Sequence, residues 1–276
     1  MKSVDLSKRA KFRVTGEDRV RYLNGQVSND VRKVSSKETI SACVTTAKGK
    51  LEGLIWISED TSSDSLLIDG DPELREPLLM RLSKYIISDD VEILDITDDY
   101  QLIHELDAES DENAKSNRFC NIGTDHWIKG GDLVDGSNWM SDESLEEYRI
   151  KQGVPKWGCE LNSNTLPQEA LLERTSIDFH KGCYVGQEII SRIKSVGRVN
   201  RLLVGLTFSE GSLPEPGWEL LDNEDNKIGE VTSVCSNDNE IIGLGYVKTG
   251  KNPFKTNNTK KDLHNEVILR DTPFTD

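Results

Sequence analysis

The chain has 276 residues, which is long for one compact core and favours two or three domains. Its net charge of −15 repels phosphate backbones, so strong direct binding of nucleic acid is not expected. Five dispersed cysteines indicate reduced thiols rather than a disulfide framework or a metal site. The start lacks the apolar core of a signal peptide, and no apolar run approaches a membrane span. We therefore expect a cytoplasmic protein without a membrane segment.

The first third of the chain alternates strand and helix patterns. Lys11–Val14 predicts a strand, and Thr15–Asp18 predicts a helix start with an acceptor at its cap. Ile40–Thr46 and Leu51–Ile57 predict two strands joined by a tight turn. Asp71 followed by Pro72 predicts the opening of the next helix.

The middle of the chain is acidic and polar. Residues 86–114 hold eleven acidic residues and no lysine or arginine, which predicts a solvated acidic face and loop. The polar run Asp107–Arg118 predicts a surface loop. Ser141 is expected to cap a helix that Gly153 ends.

After residue 200 the pattern changes to short strand-like runs separated by polar turns. Leu202–Phe208, Trp218–Leu221, Lys227–Cys235 and Ile241–Val247 predict a small antiparallel barrel or sandwich. A domain boundary is therefore expected near residue 200.

The run KGCYVGQE, residues 181–188, is the main functional candidate. Gly182 and Gly186 bracket Cys183 and Tyr184 and allow a tight backbone path. Apolar spacing downstream predicts a helix that begins near Gly186. The helix dipole and the nearby Lys181 ammonium would both stabilise a thiolate, so we hypothesise a reactive thiol at Cys183. The alternative is a small apolar cysteine buried in a turn.

With Leu166–Glu169 and Ile177–Phe179, this run resembles the signature of the YgfZ family of folate-binding proteins. That family belongs to the superfamily of the glycine cleavage system T-protein. Further similar blocks are Val14–Asp18, Tyr22–Val31, Ala47–Lys50, Leu82–Ile86, Val91–Ile93, Pro216–Ser233 and Gly243–Val247.

The resemblance implies an α+β fold with three domains in a T-protein-like ring and a C-terminal antiparallel β-barrel. The motif domain would combine residues 1–50 and 136–200, a second α+β domain would span 51–135, and the barrel would span 201–276. A tetrahydrofolate would occupy the central channel. The family assists maturation of iron–sulfur enzymes, including those that thiolate tRNA bases, so such enzymes or assembly proteins are the implied partners.

The predicted site has Cys183 and Lys181 as catalytic residues and no metal. The other motif residues assigned to it are Gly182, Tyr184, Gly186, Gln187 and Glu188. Predicted folate contacts are Tyr184, Arg149, Arg192 and Arg198.

Two departures from transferase relatives argue against aminomethyl transfer. Those relatives carry an acidic pair where this chain has Glu52 and Gly53, and a displaced carboxylate can cost about 100-fold in rate. They also place a glutamate against the pterin ring, whereas Lys151 offers only donors. Arg9 and Leu145 stand where YgfZ relatives tend to present tryptophan to the folate.

Lysines and arginines cluster around the motif, at Lys181, Arg192, Lys194, Arg198 and Arg201. They predict either a basic lip for the glutamate tail of folate or for an acidic partner, or the solvated face of a helix. Three functions therefore stay open: an accessory protein for iron–sulfur assembly or repair and tRNA modification, a folate-dependent aminomethyltransferase, and a folate-free interaction protein.

Overall fold

The computed structural model describes residues 2–106, 114–120, 122–130, 136, 139–209, 213–236, 240–253, 255–258 and 263–271. They group into two compact units. The first unit is Met1–Met140 with Leu172–Arg192, and the second is Ser141–Leu171 with Ile193–Asp276.

The first unit contains a five-stranded antiparallel sheet with the order β3-β4-β5-β2-β6. Its strands are β2 (Ala10–Thr15), β3 (Ile40–Thr45), β4 (Leu51–Asp60), β5 (Ser65–Gly70) and β6 (Glu92–Asp95). The predicted strands over 11–14, 40–46 and 51–57 are confirmed. The sheet crosses the predicted domain boundary after residue 50, because the turn there closes the β3–β4 hairpin. The division into three domains stays a prediction.

A second antiparallel sheet of the first unit has the order β1-β7-β9-β8. Its strands are β1 (Ser3–Asp5), β7 (Tyr100–Leu106), β8 (Lys115–Ser116) and β9 (Gly123–Lys129). The prediction of a solvated acidic face and loop over 86–114 is therefore wrong in its loop part at β6 and β7, while Glu92 of β6 is exposed as that prediction requires. Alternating apolar residues such as Leu102, which is fully buried, determine the structure there although acidic residues surround them.

Two helices belong wholly to the first unit, α1 (Arg19–Gln26) and α2 (Arg75–Ser83). The predicted cap of α1 is wrong in detail, because the Asp18 carboxylate accepts from the Asp90 backbone N–H instead of capping the helix. A one-turn 3₁₀ segment at Pro72 leads into α2. Leu78 of α2 packs on the sheet at Gly53. A Cβ atom at Gly53 would lie only 2.8 Å from the Leu78 Cδ2 atom. Gly53 therefore allows close packing of helix on strand.

A buried ionic network connects the two sheets of the first unit. The guanidinium of Arg118 donates to both Asp69, on β5, and Asp125, on β9, at 2.6 to 3.0 Å. Arg9 also donates to Asp69, and His104 pairs with Asp125 at 2.7 Å. The prediction of a surface loop over 107–118 is wrong at its end, since Arg118 is 5% exposed and residues 115–116 form β8. Residues 107–113 lie outside the described part of the chain.

The second unit consists of α3 (Asp142–Lys151) and a closed antiparallel barrel. The Ser141 side chain accepts from the Ser144 N–H, so the predicted cap of α3 is confirmed. The barrel strands are β10 (Arg201–Phe208), β11 (Glu219–Leu221), β12 (Lys227–Ser236), β13 (Ile241–Lys248), β14 (Lys255–Asn258) and β15 (Leu263–Arg270). The four predicted strands are confirmed, and β15 closes the barrel by pairing with β10. Leu206, Leu220, Val231 and Val247 are among its buried core residues.

Candidate functional site

The motif forms an irregular turn that leads into helix α4 (Gln187–Val196). The predicted helix start near Gly186 is confirmed to within one residue. The turn is fixed to the rest of the first unit by backbone contacts. The Val185 N–H donates to the Gly25 carbonyl at 3.3 Å, and the Thr45 hydroxyl donates to the Val185 carbonyl at 2.6 Å. The motif is thereby attached to both α1 and β3.

The two motif glycines have different structural roles. Gly186 has φ of +89°, and a Cβ there would lie 2.6 Å from both Thr45 Oγ1 and the Thr46 carbonyl oxygen. A Cβ at Gly182 would have no heavy atom within 4 Å. The tight backbone path predicted for both positions is thus required at Gly186 only.

We expect Gly186→Ala to lower the free energy of unfolding by about 2 kcal/mol, because it combines a left-handed backbone with a close contact. Gly182→Ala is the matched control and should change it by less than about 0.5 kcal/mol. Urea denaturation of both variants measures the difference. Equal effects would contradict the distinct roles assigned to the two glycines.

Lys181 is buried and attached to backbone carbonyls. Its Nζ donates to the carbonyl oxygens of Asn24, Val27 and Asn29 at 2.5, 2.7 and 2.9 Å. Burial lowers the pKa of Lys181 to about 8, whereas the three acceptors favour the ammonium form. All three of its donors thus bind the last turn of α1 and the segment that follows it.

Tyr184 is buried beside Lys181, and its hydroxyl has no hydrogen-bond partner among the described residues. The Lys181 Nζ lies 5.1 Å from the centroid of its ring. Burial raises the pKa of Tyr184. A buried hydroxyl without a partner is costly, so it marks a position where a ligand or a water molecule could supply a hydrogen bond.

Cys183 is exposed, between the buried Lys181 and the buried Tyr184. Cys43, on β3, differs in that it is fully buried and its pKa is raised by burial to about 12. The alternative of a buried apolar cysteine at position 183 is therefore wrong. The influence of Lys181 on the Cys183 thiol stays a prediction, because the ammonium donors are directed to carbonyl oxygens.

The first turn of α4 is exposed. Glu188 pairs with Arg192 one turn later at 2.7 Å, and the two side chains are 82% and 62% exposed. Gln187 is half-buried. A pair so exposed contributes little to stability.

An arginine that the sequence did not single out lies next to the motif. Arg81 of α2 is 9% exposed and donates to Glu52 at 2.6 Å, to Gln26 at 3.0 Å and to the Thr45 carbonyl at 3.2 Å. Thr45 thus connects Arg81 to the motif. The Glu52 carboxylate is held by the Arg81 guanidinium.

Arg149, predicted as a folate contact, binds other groups of the second unit. Its five N–H donors go to Glu146 twice and to the Val154 carbonyl, Glu160 and Ser233 once each. These bonds attach α3 to the barrel. Because a guanidinium has five donors, none is left for a pterin ring, and the geometry does not favour the predicted contact.

Three further basic residues named from the sequence belong to the second unit. Lys151 ends α3, Arg198 follows α4, and Arg201 begins β10. Arg198 is exposed. Arg201 pairs with Glu169 and Glu230 and lies 4.1 Å from the centroid of the Tyr246 ring. Lys151 pairs with Glu147 at 2.8 Å, as expected for an ion pair one helical turn apart.

Within the described residues, no group of three or more His, Cys, Asp or Glu side chains is placed to hold a metal ion. In the same part of the chain, no helix is long and apolar enough to cross a membrane.

No protein-family model matches the chain. The tRNA-modifying protein YgfZ of Escherichia coli is 28% identical, and the alignment covers 92% of this chain and 89% of that protein. A mitochondrial homologue of the iron–sulfur cluster assembly factor IBA57 from Mycosarcoma maydis is 26% identical over 75% of this chain. The alignment spans only 57% of that relative, and 62% of a similar relative from Dictyostelium discoideum.

Among the solved structures that match, one illustrates the fold over nearly the whole chain. The glycine cleavage system aminomethyltransferase T from Bartonella henselae superimposes with a TM-score of 0.81 and 14% sequence identity. The match covers 99% of this chain and 86% of that one. At this identity the likeness shows the fold, and it confirms the prediction of an α+β, T-protein-like fold with a C-terminal barrel.

Proposed function

Because the chain belongs to the YgfZ family within the T-protein superfamily, we propose that it assists the assembly or repair of iron–sulfur clusters through the thiol of Cys183. Its clients would be iron–sulfur enzymes or assembly proteins, among them enzymes that modify tRNA. The names of two relatives, an iron–sulfur cluster assembly factor and a tRNA-modifying protein, support this class of function. Free cysteines fit a reducing compartment such as the cytoplasm.

The observation that carries the proposal is an exposed thiol on a fixed turn. Lys181, Tyr184 and Gly186 hold the backbone on either side, while Cys183 itself faces solvent. A thiolate is the form of cysteine that binds metals. In the proposed step the Cys183 sulfur would give its proton to solvent, and the thiolate would then bind an iron of the client's cluster in place of a departing ligand such as water, with no change of oxidation state.

Tetrahydrofolate is the ligand that the resemblance implies, and the residues on the pterin side do not fit it. Arg149 has no donor left, and Lys151 is an ion-paired donor that cannot accept from the pterin amino group. Tyr184, Arg192 and Arg198 stay proposed contacts. We therefore derive no chemical step through a folate.

Aminomethyl transfer is the second candidate, favoured by the fold of the Bartonella enzyme. The Glu52 carboxylate argues against it, because it is bound by Arg81 at 2.6 Å and Gly53 supplies no second acid. A folate-free interaction protein is the third candidate, favoured by the commitment of Arg149 to α3 and the barrel.

The test is Cys183→Ala, compared with Cys159→Ala as a second exposed cysteine. In cells that lack the native protein, Cys183→Ala should leave the activity of an iron–sulfur enzyme at the level of the deletion, and Cys159→Ala should restore it. Both variants should keep the unfolding free energy within about 0.5 kcal/mol of the parent chain, since both side chains are exposed. Full restoration by Cys183→Ala would reject the proposal.

Calorimetry with tetrahydrofolate, combined with the Cys183→Ala result, separates the three functions and also tells whether an accessory protein needs folate. Binding without methylene transfer supports a folate-dependent accessory protein, and turnover supports the transferase. Absence of binding, together with the expected loss in Cys183→Ala cells, supports a folate-free accessory protein. If tetrahydrofolate does not bind and the Cys183→Ala cells show no loss of enzyme activity, the result supports the interaction protein.

A further inference from the structure

The first unit has a cleft of about 490 Å³ that the proposed function does not use. Three parts of the chain form it: residues 29–41, residues 115–117 with Ile122, and residues 174–177, which precede the motif. Its volume lies in the range of small-molecule sites.

The cleft is basic although the chain as a whole is strongly acidic. Its lining includes the four cationic residues Lys33, Lys37, Lys115 and Arg174, and Glu38 is the one carboxylate. Lys33 is paired with Asp178 at 2.8 Å. Within the described residues, the other three cations have no carboxylate within ion-pair distance.

Backbone and side-chain hydrogen bonds hold these segments together. The Lys115 N–H donates to the Lys37 carbonyl, and the Thr39 N–H donates to the Lys115 carbonyl, both at 2.9 Å. The Asn29 amide donates to the Thr175 carbonyl at 3.2 Å, beside Arg174. Cations on three different segments are therefore carried on a preformed scaffold, which lowers the entropic cost of binding.

Two further features of the lining suit a ligand that is not a simple ion. Ser116 is 2% exposed, and its Oγ has no hydrogen-bond partner in the described part of the chain. Ile122 is 55% exposed and belongs to the lining, so it offers an apolar surface beside the cations. A ligand with both an anionic group and an apolar body would contact the cations and Ile122 together.

We propose that this cleft binds a small organic anion that carries phosphate or carboxylate groups on an apolar or aromatic body. The Arg174 guanidinium can bind either group through two parallel N–H donors, and the lysines add point charges. The site is independent of Cys183, so the Cys183→Ala variant should bind the ligand like the parent chain.

Calorimetry at low ionic strength tests the site with ATP, benzene-1,3,5-tricarboxylate and tripolyphosphate as probes, because screening by salt is then weak. ATP or the benzenetricarboxylate is expected to bind, and these two probes distinguish a phosphate from a carboxylate ligand. The double variant Lys115→Gln with Arg174→Gln should weaken that binding about tenfold. Ile122→Ser should weaken binding of ATP and leave tripolyphosphate binding unchanged if ATP is the better ligand.

The control removes two exposed lysines outside the lining, with Lys2→Gln and Lys8→Gln, and changes the net charge equally. It should bind the probe as the parent chain does. Equal weakening in both double variants would show a long-range effect of charge and overturn the site. Absence of binding of both ATP and benzene-1,3,5-tricarboxylate, or binding of a single-stranded RNA oligonucleotide alone, would also overturn it.

Discussion

Arg118→Met is expected to lower the free energy of unfolding by about 4 kcal/mol, the largest effect of any single change considered for this chain. The arginine is 5% exposed and binds two carboxylates, Asp69 and Asp125, that are themselves buried. Burial alone would lower the pKa of Arg118, and the two carboxylates raise it well above its ordinary value. Methionine keeps the apolar stem and leaves both carboxylates without their shared cation. Urea denaturation followed by circular dichroism measures the loss.

The matched control for this prediction is Arg32→Met. Arg32 pairs with Asp30 at 2.8 Å, but its side chain is 63% exposed, so its removal should cost less than about 1 kcal/mol. An Arg118→Met variant that loses no more than this control would show that the network adds nothing to stability.

The pH dependence gives an independent check on the network. Arg118 holds the pKa of Asp125 below its ordinary value although burial opposes this. A carboxyl group with a lowered pKa in the folded state adds stability above its unfolded pKa of about 4 and loses it in more acidic solution. The difference between the parent chain and Arg118→Met should therefore narrow as the pH falls below about 4.

The network also shows where prediction from sequence stopped. The hairpin of β3 and β4, the cap at Ser141 and four barrel strands follow from local patterns, and all are confirmed. Arg118 follows a polar, acidic run, and locally it is indistinguishable from a loop residue. Its burial depends on Asp69, 49 positions away, and no local periodicity encodes such a pairing. β6 and β7 were missed because their acidic neighbours obscured the alternation of apolar residues.

The candidate site likewise combines features that the local sequence predicts with contacts that it does not. The helix after the motif follows from the apolar spacing downstream of it and is confirmed, and the tight backbone path predicted for the two glycines is confirmed at Gly186 but not at Gly182. The partners of Lys181 lie 152 to 157 positions away, and those of Arg81 lie 29 to 55 positions away in segments without a shared pattern. Resemblance to a family identified the motif, but it could not show that the lysine binds carbonyl oxygens.

Lys181→Met should lower the free energy of unfolding by about 3 kcal/mol, because it leaves three backbone carbonyls without their donor. Lys48→Met is the control, since Lys48 is exposed in the turn before β4 and its removal should change stability by less than about 0.5 kcal/mol. Urea denaturation at pH 7 measures both variants. A loss for Lys181→Met as small as that of the control would contradict the structural role.

The sign of the pH effect follows from the lowered pKa of Lys181. With a pKa of about 8 in the folded state and about 10.4 in the unfolded chain, the unfolded chain binds more protons between these values. The parent chain therefore gains stability relative to Lys181→Met as the pH rises from about 8 to 10.4, and a difference in unfolding free energy that narrows over this range would contradict the lowered pKa.

The rate of Cys183 alkylation separates two roles of Lys181, that of holding the backbone and that of stabilising the thiolate. An unchanged rate in folded Lys181→Met assigns Lys181 to the backbone alone, whereas a slower rate assigns it to the thiolate as well, because an ammonium that stabilises a thiolate increases the reactive fraction.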